Sequence, residues 1–343
     1  MIAVALSGGV DSSAAAILLH EQGRSIIGLT LSLDELTPGS RQVDRARMLC
    51  RRLGIAHHVI EVHGEFKAVK EYFCRQYLAG RTPNPCTVCN RDIKFGVLMD
   101  RARSLGADLI ATGHYVRKDA LEGRLFVARA RELKSQEYFL GLVTQRALAG
   151  SVFPLGGFTR SDAQGIVASA GLDIPVTQSS QDVCFIGPGG YGAFIETHTG
   201  IMSEPGPILD IRGRTIGIHR GALRYTIGQR KGIGIGLGRR VYVLAIDAAG
   251  NTITVGDGRD WKHRGFLVPE LHCMKMERPS EPVAVRVKVR YRQEAQPAVM
   301  YPEGVAGARV EYGGIYAPGQ LAVFYDDDDA VLCAGFIDHL PGS

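Results

Sequence analysis

The chain lacks the features of several protein classes. Among its 343 residues there is a single tryptophan, and no apolar run approaches the ~20 residues that a membrane-spanning helix needs. The N-terminus shows no basic region followed by a cleavable apolar segment, so we expect a cytoplasmic protein with no membrane partner. The net charge of +5 permits a polyanionic partner without requiring one. The length predicts two or three domains.

The chain has few cysteines, and their number argues against a disulfide framework. There are seven, an odd count, and a reducing compartment would keep them as thiols. Cys86 and Cys89 form a Cys-x-x-Cys in a loop rich in proline and asparagine, and Cys184 lies in a polar loop, so these three are candidates for chemistry. No second Cys-x-x-Cys completes a zinc site, which disfavours zinc. The other four lie in apolar segments and are interpreted as buried structural residues: Cys50, Cys74, Cys273 and Cys333.

A glycine turn near the N-terminus carries the most information. Residues 7–13 read Ser-Gly-Gly-Val-Asp-Ser-Ser, between the apolar run 2–6 and the helix-like run 14–19. A buried strand, a glycine turn and a helix N-terminus form an anion site, because backbone N–H groups and the helix dipole both favour negative charge. The Gly-Lys-Ser/Thr ending of a Walker A loop is missing. The segment therefore predicts a phosphate site of another class.

The patterning predicts a change of architecture near residue 200. Before it, short apolar runs alternate with amphipathic ones, and helical patterning continues through 136–149, which predicts a parallel sheet covered by helices on both faces. Beyond it come short alternating segments broken by glycine and proline, typical of small β modules. We therefore expect an α/β fold, with a doubly wound parallel-sheet domain at 1–200, a β-rich domain at 201–268 and a C-terminal β-barrel at 269–343. Residues 269–282 are interpreted as a linker. The predicted strands of the sheet lie at 2–6, 26–31, 58–62 and 109–112.

A basic segment stands out in the last module. Residues 285–292 alternate strictly, so a strand there places Arg286, Lys288, Arg290 and Arg292 on one face. The pattern alone favours a half-buried strand with a solvated basic face over an RNA-binding stripe. The acidic run 326–329 is interpreted as a solvated turn.

Several motifs together carry a family resemblance. SGGVDSS is the signature of the PP-loop ATP pyrophosphatases. In combination with GRTPNPCTVCNRDIKF, ATGHY, KSQEYFL, SQDVCFI, YTIGQRKGIGIG, VRYRQ and PGQLAVFY, in this order over nearly the whole chain, it resembles the MnmA-type tRNA 2-thiouridylases. The resemblance implies an enzyme that uses ATP to adenylate the 2-carbonyl oxygen of the wobble uridine of tRNA, with Mg²⁺ on the phosphates. It also implies replacement of that oxygen by sulfur, which a cysteine desulfurase or a relay protein must supply.

The same resemblance assigns roles to residues. Cys184 corresponds to the persulfide carrier and Cys89 to the other catalytic cysteine. The implied ATP-binding residues are Ala5, Leu6, Ser7, Gly8, Gly9, Val10, Asp11, Ser12, Leu31 and Gly113. The implied tRNA-binding residues are Asn84, Pro85, Cys86, His114, Lys134, Ser135, Gln136, Arg290, Tyr291 and Gln320. The family match reverses the preference at the basic strand. The glycine loop 228–236, with Arg230 and Lys231, is expected to order over RNA, and a plain hairpin turn is the alternative.

Position 86 departs from part of the family and leaves alternatives open. Some members have an aspartate there, proposed as a general acid–base, a role that a thiol does not replace; Asp182 is a candidate substitute. Cys86, Cys89 and Cys184 could instead hold a [4Fe–4S] cluster that binds sulfide at an open iron. Another PP-loop enzyme would need no paired cysteine loops. A non-catalytic Fe–S or RNA-binding scaffold would not need the intact phosphate loop.

Overall fold

The computed structural model describes residues 1–33, 41–172, 174, 183–236 and 238–340, and statements about the structure refer to these ranges. A five-stranded parallel sheet forms the first part, in the order β3-β2-β1-β4-β7. Its strands are β1 Ile2–Ala5, β2 Ile26–Ser32, β3 His57–Glu61, β4 Leu109–Ala111 and β7 Ser151–Val152. All four predicted strands are confirmed.

Helices cover both faces of this sheet, as expected for a doubly wound fold. Ala14, Ile17 and Leu49 pack on one face together with Val167, while Leu98 belongs to the core on the other. The helices of the first part are α1 Val10–Glu21, α2 Arg41–Leu53, α3 His63–Leu78, α4 Pro85–Val88, α5 Leu98–Ser104, α6 Gln145–Ala149 and α7 Arg160–Ser169, with a π-helix at Cys89–Val97 between α4 and α5. A hairpin joins β5 Arg117–Leu121 to β6 Arg124–Ala128.

The continuous helix expected over 136–149 is wrong. The structure has a 3₁₀ turn at Glu137–Leu140 and only the short α6 after it. Glu137 and Tyr138 are fully buried, and a Cβ added at Gly141 would lie 2.7 Å from Ala334 Cβ. The segment therefore follows the surface of the C-terminal barrel, because tertiary packing outweighs its helical patterning.

The second part is a four-stranded sheet with the order β10-β11-β8-β9, preceded by α8 Gly190–Thr199. β11 and β8 are parallel, and the other pairs are antiparallel. Ile208, Val243 and Ile253 are fully buried at its centre. Its strands are β8 Gly206–Leu209, β9 Thr215–His219, β10 Tyr242–Asp247 and β11 Thr252–Gly256, with 3₁₀ turns at Ala222–Arg224 and Gly258–Asp260.

The third part is a seven-stranded antiparallel sheet, ordered β12-β16-β15-β14-β17-β18-β13. Its edge returns on itself, because Leu267 and Asp338 exchange two backbone hydrogen bonds. Phe266, Val287 and Phe324 fill the interior. This agrees with the predicted β-barrel. Its strands are β12 Gly265–Val268, β13 His272–Cys273, β14 Val283–Lys288, β15 Gln296–Glu303, β16 Gly307–Glu311, β17 Leu321–Tyr325 and β18 Val331–Phe336.

The segment 269–282 is more than the linker that its composition suggested. It contains β13, which pairs with β18, and Met274, which is fully buried in a core shared with the first part of the chain. Across the described residues, no helix combines the length and apolar character needed to cross a bilayer.

Candidate functional site

The strand order places the glycine turn of residues 7–13, the predicted phosphate turn, at a switch point of the sheet. From β1 the chain runs outward to β3 and then returns to β4 on the other side of β1. Ligands of open α/β sheets bind beyond the carboxyl ends of the strands where this reversal occurs. The turn after β1 and the segment 112–115 after β4 therefore lie side by side.

Hydrogen bonds within the turn hold its backbone in place. Ser7 N donates to Ser12 Oγ at 3.1 Å, and Ser13 Oγ donates to Gly9 O at 2.9 Å. Gly8 has a φ of +68°, and a Cβ there would lie 2.4 Å from the Gln42 carbonyl oxygen. Only glycine fits such a position. The turn thus leads into the N-terminus of α1 with a fixed shape that suits a phosphate.

The end of β4 is packed directly against this turn. A Cβ at Gly113 would lie 2.7 Å from Ser12 N, and Tyr115 Oη donates to Asp11 Oδ1 at 2.7 Å. Leu31, predicted near the nucleotide, lies half-buried on the neighbouring strand β2. The structure therefore brings together the turn and Gly113, two parts of the predicted ATP site that are a hundred residues apart in sequence.

His114 is almost completely buried at the end of β4. Its Nδ1 lies 2.8 Å from Thr112 Oγ1, and its ring centroid lies 5.9 Å from the ring centroid of Phe95. Burial, reinforced by the Lys94 ammonium, holds the pKa of His114 well below its usual value. The imidazole is therefore neutral at physiological pH.

The Cys-x-x-Cys loop is anchored on the C-terminal barrel. Gln320 Nε2 donates to Thr82 O at 3.1 Å, and Thr82 N donates to Pro318 O at 2.7 Å. Arg81 pairs with Asp338 at 2.8 Å. Gln320, predicted to contact tRNA, therefore positions this loop by its own side chain.

Asn84 also serves the folding of the loop. It is 7% exposed, and its Oδ1 accepts from Thr87 N at 3.3 Å, which caps α4. Pro85 occupies the first helical position, where its missing N–H costs nothing. The side-chain oxygen of Asn84 is thus used as a helix cap, and the implied contact of Asn84 with tRNA stays a prediction.

A π-helix sets the spacing between the cysteines and a lysine. α4 continues into the π-helix Cys89–Val97, whose wider turn, with bonds from residue i to i+5, brings Lys94 over Cys89. Cys86 lies one turn before Cys89. Burial raises the pKa values of both thiols, and the Lys94 charge opposes part of that rise. Sequence analysis missed Lys94, although its position five residues after Cys89 and the isolated glycine at 96 were visible.

Burial dominates the chemistry of the two thiols. It raises the pKa of Cys86 to about 11 against the opposing effect of Lys94, and the neighbouring Cys184 and Cys89 raise it further. Burial likewise raises the pKa of Cys89. Both groups therefore rest as neutral thiols at physiological pH. Cys184 is exposed.

The residue after Cys184 anchors it. The ring centroid of Phe185 lies 5.3 Å from that of Phe73 on α3 and 4.9 Å from that of Phe194 on α8. Phe185 also packs on the core cluster that contains Val88 and Ile93 of the cysteine helix, defined as α4 and the following π-helix, residues 85–97. Residues 175–182, with the candidate Asp182, lie outside the described residues.

The three cysteines do not form a metal site in the described structure. Within those residues, no group of three or more His, Cys, Asp or Glu side chains is arranged to hold a metal ion. The geometry therefore gives no support to the cluster alternative.

The KSQEYFL segment is used mainly inside the protein. Gln136 Oε1 accepts from Tyr115 N at 3.0 Å, and Ser135 Oγ donates to Tyr115 O at 3.2 Å. Lys134 is exposed, and its carbonyl accepts from Tyr291 Oη at 3.0 Å. Of these three predicted tRNA contacts, Lys134 is exposed, Gln136 is half-buried and Ser135 is buried.

The solvated basic face that alternation alone favours is wrong for Arg286, Lys288 and Arg290, which are half-buried, whereas Arg292 is exposed. β14 ends at Lys288, whose Nζ donates to Glu137 Oε1 at 2.8 Å, and Glu137 is fully buried. Arg286 pairs with Asp329 at 3.0 Å, so the turn 326–329 is paired and not simply solvated. Arg290, beyond the strand, donates from Nη2 to Ile227 O at 2.7 Å. Lys288 links the third part of the chain to the first, and Arg290 links it to the second, whereas the Arg286–Asp329 pair lies within the third part. Sequence alternation gave no sign of these partners.

Three family models match the chain in sequence order. They are described as a tRNA methyl transferase HUP domain at residues 1–188, a tRNA methyl transferase PRC-barrel domain at 192–257 and an aminomethyltransferase beta-barrel domain at 263–337. The relative from Moorella thermoacetica named tRNA-specific 2-thiouridylase MnmA is 41% identical, over 95% of this chain and 96% of its own length. The relative of the same name from Acetivibrio thermocellus is 38% identical, over 96% and 97%. The chain belongs to the MnmA family.

Solved structures give a weaker likeness. The U34-tRNA thiolase NcsA from Methanococcus maripaludis, described with its [4Fe-4S] cluster, matches with a TM-score of 0.34 and 18% identity, over 58% of this chain and 63% of that one. At this level the likeness says nothing about ligands of the MnmA-family chain.

Proposed function

We propose that this chain is a tRNA-uridine 2-sulfurtransferase, which converts the wobble uridine of tRNA to 2-thiouridine at the cost of ATP. One observation carries the proposal: the phosphate turn and the cysteine helix meet through consecutive residues of one strand end. Gly113 touches the turn at Ser12, and His114 packs on Phe95 of the cysteine helix. Membership of the 2-thiouridylase family supports it.

The first step activates an unreactive carbonyl. The uridine O2 attacks the α-phosphorus of ATP, an O–P bond forms, and the bond from that phosphorus to the bridging oxygen breaks to release pyrophosphate. The turn and the N-terminus of α1 would hold the phosphates through N–H groups. Neutral His114 would contact the nucleotide or base without adding charge.

The second step exchanges oxygen for sulfur. The terminal sulfur of a persulfide on Cys184 attacks C2, a C–S bond forms, and the C2–O bond breaks to release AMP. The Cys89 thiolate then attacks the Cys184 sulfur, which frees the thiouridine and leaves a Cys89–Cys184 disulfide. A cellular thiol must reduce that disulfide before the next cycle.

Lys94 suits this second step. Its charge lowers the pKa of Cys89 against the effect of burial, so a larger fraction of Cys89 is thiolate when it must attack. Cys86 shares the same charge, but a thiol cannot take the acid–base role of an aspartate. We therefore assign Cys86 to the lining of the base pocket.

Magnesium suits the phosphate turn. Asp11, at the start of α1, is a partly exposed carboxylate, the ligand type that Mg²⁺ prefers, and the ATP phosphates would supply further oxygens. Bound there, the ion would neutralise phosphate charge. The chain itself contributes the fixed position of Asp11 through its hydrogen bond from Tyr115.

The tRNA surface is proposed around the exposed cations near the site. Lys134, Arg230 and Lys231 are exposed, and Tyr291 lies between Lys134 and the barrel. The base must leave its stack to reach both nucleotide and persulfide.

We infer a cytoplasmic enzyme that receives persulfide sulfur from a cysteine desulfurase or a relay protein at exposed Cys184.

The test is a reconstituted reaction. The full chain is incubated with ATP, Mg²⁺, a persulfide donor and unmodified tRNA, and digested tRNA is analysed by nucleoside mass spectrometry. We expect 2-thiouridine at the wobble position, loss of product in Cys89→Ser and Cys184→Ser, and tRNA-dependent pyrophosphate release in both. Cys50→Ala, a buried thiol in α2, is the matched control and should retain activity.

Three results would contradict the proposal. Sulfur at another nucleoside would show a different thiolase, and pyrophosphate release without any thiolated product would indicate another PP-loop reaction. Iron and sulfide that copurify with the protein under anaerobic conditions, with activity proportional to their content, would replace the persulfide mechanism by the cluster mechanism.

A further inference from the structure

A second pair of cysteines lies far from the phosphate turn in the sequence. Cys273 on β13 and Cys333 on β18 face each other across two antiparallel strands, and their sulfur atoms are 3.0 Å apart. Cys333 is fully buried and Cys273 is half-buried. The proposed sulfur transfer uses neither residue.

The backbone register suits a covalent bond between them. Met274 N donates to Leu332 O at 2.8 Å, so the residues that pair on either side of Cys273 and Cys333 carry the ladder bonds. Cys273 and Cys333 thus form a non-hydrogen-bonded pair, in which Cα atoms lie about 4.5 Å apart. That spacing is within the range of about 4.4–6.8 Å that disulfides need.

We propose that Cys273 and Cys333 form a reversible disulfide by exchange with a small-molecule disulfide. The bond would fasten the strap, defined as residues 269–282, to β18. The proposal is independent of the sulfurtransferase activity, since it concerns other thiols and needs no nucleotide or tRNA.

The two thiols have different roles in the exchange. The Cys273 thiolate attacks one sulfur of the external disulfide, an S–S bond forms at Cys273, and one small thiol leaves. Cys333 then loses its proton and attacks Cys273 Sγ, which forms the protein disulfide and releases the second small thiol. Two protein thiols are oxidised and one external disulfide is reduced to two thiols. Cys273 is the first nucleophile because it is the more accessible sulfur.

The electrostatic surroundings support this order. Cys333 donates its S–H to Cys273, and the guanidinium groups of Arg124 and Arg278 act on the same sulfur, so the pKa of Cys273 is lowered despite its burial. The pKa of Cys333 is raised, since it is the donor and lies in the barrel interior.

The strap joins two parts of the chain, so the bond would have a structural consequence. Arg124 of the first part donates to the carbonyl oxygens of Cys273 and Met274 at 2.9 and 3.0 Å, and His272 Nε2 lies 3.1 Å from Val143 O. A covalent link between the strap and β18 closes a loop whose ends are 60 residues apart. Such a closure restricts the unfolded chain, and we expect a rise of about 5 °C in the unfolding midpoint.

The experiment uses the full chain carrying Cys89→Ser and Cys184→Ser, so that the proposed catalytic thiols cannot exchange. The protein is incubated with oxidised glutathione, free thiols are alkylated, and peptides are mapped without reduction. We expect a Cys273–Cys333 peptide that disappears after reductant, together with the higher unfolding midpoint.

Two further variants separate the steps. In Cys333→Ala, glutathione should remain on Cys273 as a mixed disulfide, because the resolving thiol is missing. In Cys273→Ser, Cys333 should stay unmodified, since it is buried. These readouts do not depend on thiolation activity, so their failure would leave the proposed function untouched.

The proposal is overturned if both thiols are alkylated after oxidation, or if glutathione persists on Cys273 in the chain that retains Cys333. A disulfide from Cys273 to any other cysteine would overturn it as well.

Discussion

The phosphate turn and the basic strand β14 are both short, regular sequence patterns, yet they led to opposite outcomes. The turn lies where its motif predicts, at the switch point of a parallel sheet, with its N–H groups near the N-terminus of α1. Only half of the predicted segment 285–292 lies in β14, which ends at Lys288, and charges of the segment bind Glu137, the turn 326–329 and Ile227. A motif that acts through backbone geometry can thus be recognised from the local sequence. The interactions of a charged side chain depend instead on which parts of the chain fold against it.

The largest expected effect tests the internal use of the basic strand. Lys288→Met removes the cation paired with Glu137, a fully buried residue that keeps a hydrogen bond from Tyr325 Oη at 3.3 Å and has one carboxylate oxygen, Oε2, without a hydrogen bond. Breaking a buried ion pair by removing one partner costs about 3–5 kcal/mol, so the free energy of unfolding should fall by that amount in denaturant titrations.

A double variant is the control for this change. Lys288→Met with Glu137→Gln removes both charges and should recover part of the lost stability. If Lys288→Met were as stable as the parent chain but bound tRNA more weakly, β14 would be an RNA-facing strand after all.

The next effect tests the phosphate turn. Gly8→Ala forces a Cβ to within 2.4 Å of Gln42 O at a φ of +68°. The turn must shift, and a displacement of about 1 Å in a catalytic site costs about 100-fold in rate, so tRNA-dependent pyrophosphate release should fall to that extent.

Gly9→Ala is the matched control. Gly9 has a φ of −101°, and a Cβ there would meet only Ser7 Oγ at 3.4 Å. It should keep most of the activity. Equal losses in the two variants would mean that flexibility of the turn, and not its shape, is what matters.

A third, smaller effect concerns Lys94. Its charge lowers the pKa values of Cys86 and Cys89, so Lys94→Gln should raise both. Less Cys89 is then thiolate at neutral pH, and the ascending limb of the thiolation pH profile should move to higher pH, with a rate loss of about tenfold per unit of pKa shift.

Adenylation does not use the Cys89 thiolate, so pyrophosphate release should change less than thiolation in this variant. Lys94→Arg is the conservative control and should keep the profile near that of the parent chain. An unshifted profile in Lys94→Gln would remove Lys94 from the thiol chemistry.

The smallest effect compares two cations in tRNA binding. Lys134→Gln removes an exposed charge, and the slope of log affinity against log salt should decrease by about one unit. Arg286→Gln removes a charge already paired with Asp329, and its slope should remain that of the parent chain. The reverse result would place the RNA on β14.

The sequence by itself determined the parallel sheet, the phosphate turn and the set of cysteine loops. These depend on apolar periodicity and on glycine positions, which act over a few residues. It could not predict that 136–149 is divided into a 3₁₀ turn and a short helix, or that 269–282 is a strap with a buried Met274, because both results depend on surfaces supplied from other parts of the chain.

Only the tertiary structure decided which polar residues are available for function. Asn84 became a helix cap, Lys288 the partner of a buried carboxylate, and Cys273 the neighbour of Cys333. A buried charge or polar group must find a partner wherever the fold supplies one, and that partner can lie more than a hundred residues away. Local sequence therefore fixes where the backbone offers a site, and the assembled fold determines which side chains are left to occupy it.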